Sequence, residues 1–566
     1  MAALRPGADP AVTARLREAL QTVDPPPALP RPPEVREIQL PSPERGIAAI
    51  DVAQDAPDCA LLLVWEPAAD DLLRVYVLAS SSPPPLAQIE TRAEPWSLPV
   101  PATFPLIART ERDETFVAGT AVGFLELLYG ASEPARARLQ ALAALLPDLP
   151  RQAAAYNEAI LDFALALISD QQGDAIAALE AYSQAIRLRD DFTAARTNRS
   201  NIYLQAGDAS AALEGYNSVL ASDTELAAAL YNRALAYRAL GDLSAALEDA
   251  ERLTLRYPEA WSVNLRGLIA YELGDDEAAL ADFKLAAQSA PQDPTPLFNQ
   301  ALTLARMGEH RQALVVLDAL IELQPQNPLF HLYLGDAFRL VGDTEQAEHA
   351  YSQAIDLDPQ YLEAYLRRGR LRVENGDAEG ALADANQASA IDPQAGEAYW
   401  IRGDALLIEE DFAAAEDAYN TALNLGLSDP AIYAARGWAL HRLRFRSAAI
   451  ENYQQALALG YSDPITFNRL GFALYDAGRY EEALDAMLAA VNAGLDTAEG
   501  YAGLALALDA NIRRDEAEQQ YAHALEIDGR YGKANFLAEQ PLWSQAAVTR
   551  AVTILRRLGI DPYAED

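Results

Sequence analysis

The sequence predicts an all-α fold, a solenoid of short antiparallel helix pairs, with a small α/β or β segment near its N-terminal end. The first observation behind this is a repeat of 34 residues. A turn residue returns at Gly173, Gly207, Gly241, Gly274, Gly308, Gly342 and Gly376, then at Glu410, Arg444, Gly478 and Ile512, with one step of 33. The second is a pair of small-residue rows in the same register. One row is alanine throughout: Ala178, Ala212, Ala246, Ala279, Ala313, Ala347, Ala381, Ala415, Ala449, Ala483 and Ala517. The other holds glycine, alanine or serine: Ala166, Ser200, Ala234, Gly267, Ala301, Gly335, Gly369, Gly403, Gly437, Gly471 and Ala505. Small side chains at such paired positions let two helix backbones cross closely. The third observation is the apolar spacing inside each unit, which is helical and never alternating.

Residues 1–45 open with a helical pattern over Val12 to Leu20. A proline cluster from Pro25 to Pro43 follows, the composition of an extended, semi-rigid linker. Residues 46–115 depart from the repeat. Ile47 to Val52, Cys59 to Trp65 and Leu72 to Leu78 are rich in valine, isoleucine and leucine, and turn-like segments separate them. They read as a small sheet whose last two strands form a hairpin. The stretch from Ser80 to Pro105 carries too many prolines for central strands.

The array is read over residues 116–529 as twelve helix pairs. The first is degenerate, with Gly123 and Ala135 at the small positions, Gly130 at the turn and Pro147 at the close. The step from Gly130 to Gly173 is nine residues longer than a repeat, which predicts a lengthened helix containing Arg151 to Ile168. The unit Pro328 to Pro359 shows the design plainly. Leu329, Leu332, Leu334, Ala337 and Phe338 give a first helix, and Gly342 ends it in the left-handed conformation. Asp343 or Thr344 caps the second helix, Ala347, Tyr351, Ala354 and Ile355 share its apolar face, and Pro359 stops it. Arg233, Arg266 and Arg368 precede a crossing residue, with Asp249, Asp282 and Asp384 at matching places in the second helix, so ion pairs within the repeat are expected. If exposed, each is worth about 0.5 kcal/mol. Residues 530–566 read as capping helices for an open solenoid end.

The period, turn glycine, small pair and closing proline resemble the tetratricopeptide repeat (TPR) family. The resemblance implies a right-handed superhelix whose groove is lined by the first helix of each pair. Carried over residue by residue, the groove positions fall in the first half at Ala194, Thr197, Asn201, Tyr231, Arg238, Trp261, Asn264 and Phe298. They continue at Arg306, Leu332, Asp336, Arg339, Leu366 and Arg370, then at Trp400, Asp404, Trp438, His441, Arg442, Asn468, Phe472 and Tyr475. Among them, Tyr231, Asn264, Phe298, Arg306, Arg339, Arg370, Trp400, Trp438, His441, Arg442, Asn468, Phe472 and Tyr475 are the candidate partner contacts. Aromatic and arginine side chains dominate binding hot spots. Packing between repeats is the competing role for the aromatics, and pairing with Glu272, Glu363 or Asp336 the competing role for the arginines. A ligand with apolar anchors at the tryptophans and an acidic group near Arg442 would suit the C-terminal part of the groove.

The function implied is a non-enzymatic scaffold or adaptor that binds an extended peptide or helix. A recognition subunit of a separate enzyme is the alternative. A terminal-carboxylate clamp fits less well, because Asn201 and Asn232 stand at clamp-like positions but Thr197, Trp261 and Leu265 replace the basic residues.

Composition supports a soluble interaction protein. A formal charge of −39 over 566 residues repels nucleic acid and anionic membrane. The one cysteine, Cys59, excludes an intrachain disulfide and a cysteine-based zinc site. His310, His331, His349, His441 and His523 are dispersed over different repeats, and no HExxH, GxGxxG, phosphate-binding loop or GxSxG motif is present. No cofactor, metal, nucleic-acid partner or membrane insertion is expected. With no long apolar run and no signal-like start, the cytoplasm is the expected address.

Overall fold

The computed structural model describes residues 2–4, 37–39, 61–67, 72–79, 104–109, 120, 123–124, 127, 132–144, 146, 151–224 and 226–563. They divide into two compact units, Met1–Val316 and Leu317–Asp566.

The first unit opens with five strands: β1 (Ala2–Leu4), β2 (Glu37–Gln39), β3 (Leu61–Pro67), β4 (Leu72–Ala79) and β5 (Phe104–Arg109). Their order in the sheet is β2-β1-β3-β4-β5. The expected hairpin is β3–β4, paired antiparallel with Leu61 opposite Ala79 and Pro67 opposite Leu73. Two findings differ from the sequence reading. β1 and β2 are three-residue strands, too short to show any periodicity, and β1 lies parallel to both β2 and β3. β5 forms in the proline-rich stretch, and it can because it is an edge strand, where the missing N–H of Pro105 need not meet a neighbour. The expected helix over Val12 to Leu20, the proline cluster and the expected strand over Ile47 to Val52 lie outside the described residues.

Helices follow. In the first unit they are α1 (Ser132–Ala143), α2 (Arg151–Gln171), α3 (Ala175–Leu188), α4 (Thr193–Gln205), α5 (Ala209–Ser222), α6 (Ala227–Leu240), α7 (Leu243–Arg256), α8 (Ala260–Leu273), α9 (Asp276–Ser289) and α10 (Pro294–Arg306). The unit boundary falls within α11 (His310–Leu323). The second unit holds α12 (Pro328–Val341), α13 (Thr344–Leu357), α14 (Leu362–Glu374), α15 (Ala378–Ile391), α16 (Gly396–Ile408), α17 (Phe412–Asn424), α18 (Pro430–Arg442), α19 (Arg446–Ala458), α20 (Pro464–Asp476), α21 (Tyr480–Asn492), α22 (Ala498–Ala510) and α23 (Arg514–Ile527). A 3₁₀ turn at Gly529–Gly532, α24 (Ala534–Glu539) and α25 (Gln545–Arg557) close the chain. From α2 onward each even-numbered helix is the first of a pair and each odd-numbered helix the second, up to α23. The lengthened helix is α2, at 21 residues. In the degenerate pair before it, Gly123 sits so close to the Leu139 side chain that an added Cβ would lie 2.8 Å from it.

Each pair forms for the reasons its sequence predicts. Gly342 adopts φ 89°, and the following Asp343 caps α13 by accepting the Gln346 N–H at 3.2 Å. Asp174, Asp208, Asp242, Asp275, Asp377 and Asp411 repeat that cap. Glu410, Arg444 and Ile512 hold the same left-handed turn without glycine, at φ 59°, 68° and 68°. The alanine row (Ala246, Ala279, Ala313, Ala347, Ala381, Ala415, Ala449, Ala483) has no exposed surface. Opposite it, Gly267, Gly403, Gly437 and Gly471 face Phe283, Tyr419, Tyr453 and Met487, which would stand 2.9 Å or less from an added Cβ; Gly335 is as tightly placed against Tyr351. Gly369 is the looser case, with Ile401 at 3.2 Å.

The expected ion pairs form: Arg233 with Asp249 at 2.6 Å, Arg266 with Asp282 at 2.6 Å, and Arg368 with Asp384 at 2.7 Å. Their aspartates are nearly buried, so the stakes exceed those of exposed pairs. The arginines also reach backward. Arg233 donates to Asn217 of the preceding second helix at 2.8 Å, and Arg368 to Ser352 at 2.8 Å. Where the aspartate is absent, Arg402 keeps the backward bond alone, to Asn386 at 2.8 Å, and Arg436 turns to Glu416. Arg233 and Arg368 therefore fix the spacing between neighbouring pairs as well as within one, while Arg266 acts within its pair and Arg402 between pairs.

Candidate partner-binding site

First helices of successive pairs touch one another within each unit: α4 and α6, α8 and α10, and in the second unit α12 through α22 in turn. Their shared face carries the predicted groove positions. The thirteen candidate contacts divide sharply on it. Tyr231, Asn264, Phe298, His441, Asn468, Phe472 and Tyr475 are all at most 3% exposed, so they pack and present little surface. Arg306, Arg339, Arg370, Trp400, Trp438 and Arg442 keep accessible surface.

In the first unit the face is internally satisfied. Asn232 donates to Asn201 at 2.8 Å, Tyr216 donates to the same oxygen at 2.7 Å, and Asn299 donates to Asn264 at 3.0 Å. The two clamp-like asparagines are thus bonded to each other. Tyr231 stacks edge-on against Trp261 at 6.2 Å. Arg238 is held by Glu272, and Arg306 by Asp276 and the Tyr271 carbonyl while its guanidinium lies 3.2 Å from the centre of the Tyr271 ring.

In the second unit the same rules hold until α18. Arg339 approaches Glu374 at 3.7 Å, and Asp336 pairs with Arg367 at 2.7 Å. Arg370 is bonded to Asp404 at 2.6 Å and lies 4.2 Å from the Trp400 ring centre. Burial pushes the Asp404 carboxyl above the usual range, against the pull of Arg370 and the Tyr419 hydroxyl. Beyond this network, Trp438 stands partly exposed with two guanidinium groups against it, Arg469 at 4.4 Å and Arg442 at 5.3 Å from the ring centre. Arg442 also covers Phe412 at 4.2 Å. Its nearest carboxylate, Glu410, is 3.7 Å away and well exposed. His441 lies beneath, 3% exposed and 6.1 Å edge-on from Trp438. Burial, then the charges of Arg444, Arg446, Arg469 and Arg442, pull its imidazole down to about 4.

The face ends where the chain's own C-terminal segment covers it. Trp543 packs against Phe472 at 5.9 Å, Arg550 lies 5.9 Å from the Tyr475 ring centre, and α25 lies on α22 and α23. This is why Phe472 and Tyr475, expected in the groove, are buried, while Asn468 is covered by α22, beside Gly503 and bonded to Glu499. Two residues the groove positions did not include belong to the Trp438 stretch: Arg469, partly exposed, and Tyr453, fully buried against Gly437. The signal for Tyr453 was present: Tyr216, Tyr351 and Tyr419 each follow an asparagine or aspartate by fifteen residues, and Tyr453 follows Trp438. Among the described residues, no group of histidine, cysteine, aspartate and glutamate could hold a metal ion, and no helix is long and apolar enough to cross a membrane.

The tetratricopeptide repeat pattern matches residues 231–294, 298–361, 341–395, 366–431 and 434–502. Over these stretches the chain is built of tetratricopeptide repeats, of a kind that serves as a protein–protein interaction scaffold. Among solved structures it is similar to a tetratricopeptide repeat protein from Parabacteroides merdae, at 21% identity over 44% of this chain and 99% of that one, with a TM-score of 0.36. It is similar also to the APC/C hetero-tetramer Cut9–Hcn1, at 15% identity over 79% of this chain and 96% of that one, TM-score 0.37. A third is YrrB, described as a TPR protein with an unusual peptide-binding site, at 22% identity over 32% of this chain and 94% of that one, TM-score 0.30. Among curated proteins there is no match.

Proposed function

We propose that this chain is a non-enzymatic scaffold of the cytoplasm, and that the first-helix face between Arg370 and Arg469 holds an extended peptide or a helix of its partner protein. The supporting observation is the partial exposure of Trp400 and Trp438. These two indoles stay accessible in consecutive first helices, while Phe298, at the repeat position of Trp400, and Phe472, at that of Trp438, are buried. Large aromatic side chains left open beside arginines are the usual material of a binding hot spot. The domain division belongs to the same proposal: residues 1–45 a linker, 46–115 a strand-containing module or cap, 116–529 the array, and 530–566 its C-terminal cap.

The experiment is affinity capture with the full chain, compared with the double change Trp400→Ala and Trp438→Ala in protein whose helical circular dichroism is unchanged. Loss of one such anchor costs on the order of 2 kcal/mol of binding, so the double variant should release the captured partner. A partner retained with full affinity would move the site elsewhere, first to Arg306, Arg339 and Arg370.

A further inference from the structure

Six second helices place a tyrosine against the crossing residue, and five of those hydroxyls have a partner. Tyr216 donates to Asn201, Tyr351 to Asp336 and Tyr419 to Asp404, all at 2.7 Å. Tyr182 accepts from Asn198 at 3.4 Å, and Tyr521 donates to the Tyr531 carbonyl at 3.1 Å. The sixth, Tyr453, is fully buried and its hydroxyl has no partner: Trp438 occupies the position where the repeats of Tyr216, Tyr351 and Tyr419 carry the acceptor. An unpaired buried hydroxyl costs about 1–3 kcal/mol, so a fold that retains one leaves a donor waiting for an acceptor. Arg469 lies on the same stretch, its guanidinium 4.4 Å from the ring centre of Trp438, the residue that takes the acceptor's place. Arg469 has neither a hydrogen bond nor an ion pair to a carboxylate among the described residues, and Arg442 has only the 3.7 Å approach to exposed Glu410, like that of Arg339 to Glu374, whereas Arg238, Arg306 and Arg370 are hydrogen-bonded to theirs.

We infer that the Trp438 stretch is a subsite for a carboxylate side chain, an aspartate or glutamate of the partner segment; this rests on the reading of the face as a partner site. The Arg469 guanidinium and the Tyr453 hydroxyl supply donors, Arg442 supplies a second charge, and Trp438 covers the adjoining apolar atoms. Charge complementarity selects this occupant. In a chain of net charge −39, Arg469 has no bonded carboxylate partner among the described residues and Arg442 has only the exposed Glu410 at 3.7 Å, and both guanidiniums lie against Trp438. The asparagines at clamp-like positions take no part, since they lie in the first unit and bond each other.

The test uses twelve-residue peptides displayed on phage and selected on the immobilised full chain, with affinities then measured by fluorescence polarisation. Peptides whose binding depends on Trp400 and Trp438 should share an aspartate or glutamate beside an apolar residue. Replacing that acid by its amide should weaken binding at least about tenfold, the value of one charge-assisted hydrogen bond. Arg469→Gln should do the same to the acidic peptide and add nothing to the loss of the amide one. Tyr453→Phe, which removes a buried hydroxyl no protein group uses, should weaken the acidic peptide several-fold while the free chain becomes more thermally stable. Peptides that need the tryptophans but tolerate loss of the acid would overturn the carboxylate subsite and leave the partner face standing. If no selected peptide depends on the tryptophans, both ideas fall.

Discussion

Gly403 and Gly369 occupy the same place in neighbouring repeats, yet a methyl group would meet different surroundings. At Gly403 it would lie 2.5 Å from the buried Tyr419 ring, which its hydrogen bond to Asp404 holds in place. At Gly369 the matching second-helix residue is Ala385, and the nearest atoms are Ile401 and Asp384 at 3.2 and 3.3 Å. Gly403→Ala should therefore destabilise by about 1–3 kcal/mol through overpacking, while Gly369→Ala should stay within about 1 kcal/mol, alanine's helix preference offsetting the crowding. Urea denaturation followed by circular dichroism separates the two. His441 makes a different prediction. With its folded value near 4 and an ordinary unfolded value of 6.5, the unfolded chain binds the extra proton between those limits. Its stabilising neutrality is complete above pH 6.5 and is lost as pH falls towards 4, to an extent on the order of 3 kcal/mol. Wild type should lose thermal stability relative to His441→Asn between pH 7 and pH 4.5, and parallel curves would contradict the buried neutral imidazole.

Pairs are held together by more than their apolar strips. The Arg233–Asp249 pair buries its carboxylate almost fully and ties α6 to α7, while the bond to Asn217 ties both to α5. Removing only the cation strands a buried charge, so Arg233→Met should cost about 3–5 kcal/mol, and adding Asp249→Leu should recover most of it. Equal losses in single and double variants would mean that the pair is solvent-screened. Much of this element-level design was legible: arginine and aspartate sixteen residues apart, glycine at the turn, aspartate after it. What the sequence concealed was reach. Nothing in a repeat's own residues says that its arginine also bonds the pair before it, or that an aspartate exposed in isolation is buried by its neighbour. The short strands β1 and β2 escaped for a simpler reason, since three residues hold no period. Phe445, Arg479 and Arg513 mark where the repeat loosens, for none of them gives its helix the side-chain cap that aspartate supplies earlier.

Across the whole chain the repeat was readable and the usable part of its face was not. Family positions treat all pairs alike, so they name Phe298 and Phe472 as readily as Trp438. Burial depends on whatever lies over each pair, and for Phe472 that is Trp543, seventy-one residues further along. Selecting the open stretch required the packed structure. The surviving claim is that a partner lies across α14, α16, α18 and the start of α20. Hydrogen exchange of the full chain, alone and with the captured partner, tests it most directly. The account predicts that protection rises in Leu362–Glu374, Gly396–Ile408 and Pro430–Arg442, with the backbone around Arg469, and stays unchanged in the second helices Ala378–Ile391 and Phe412–Asn424. Protection gained chiefly in those second helices, or in the first unit alone, would contradict it.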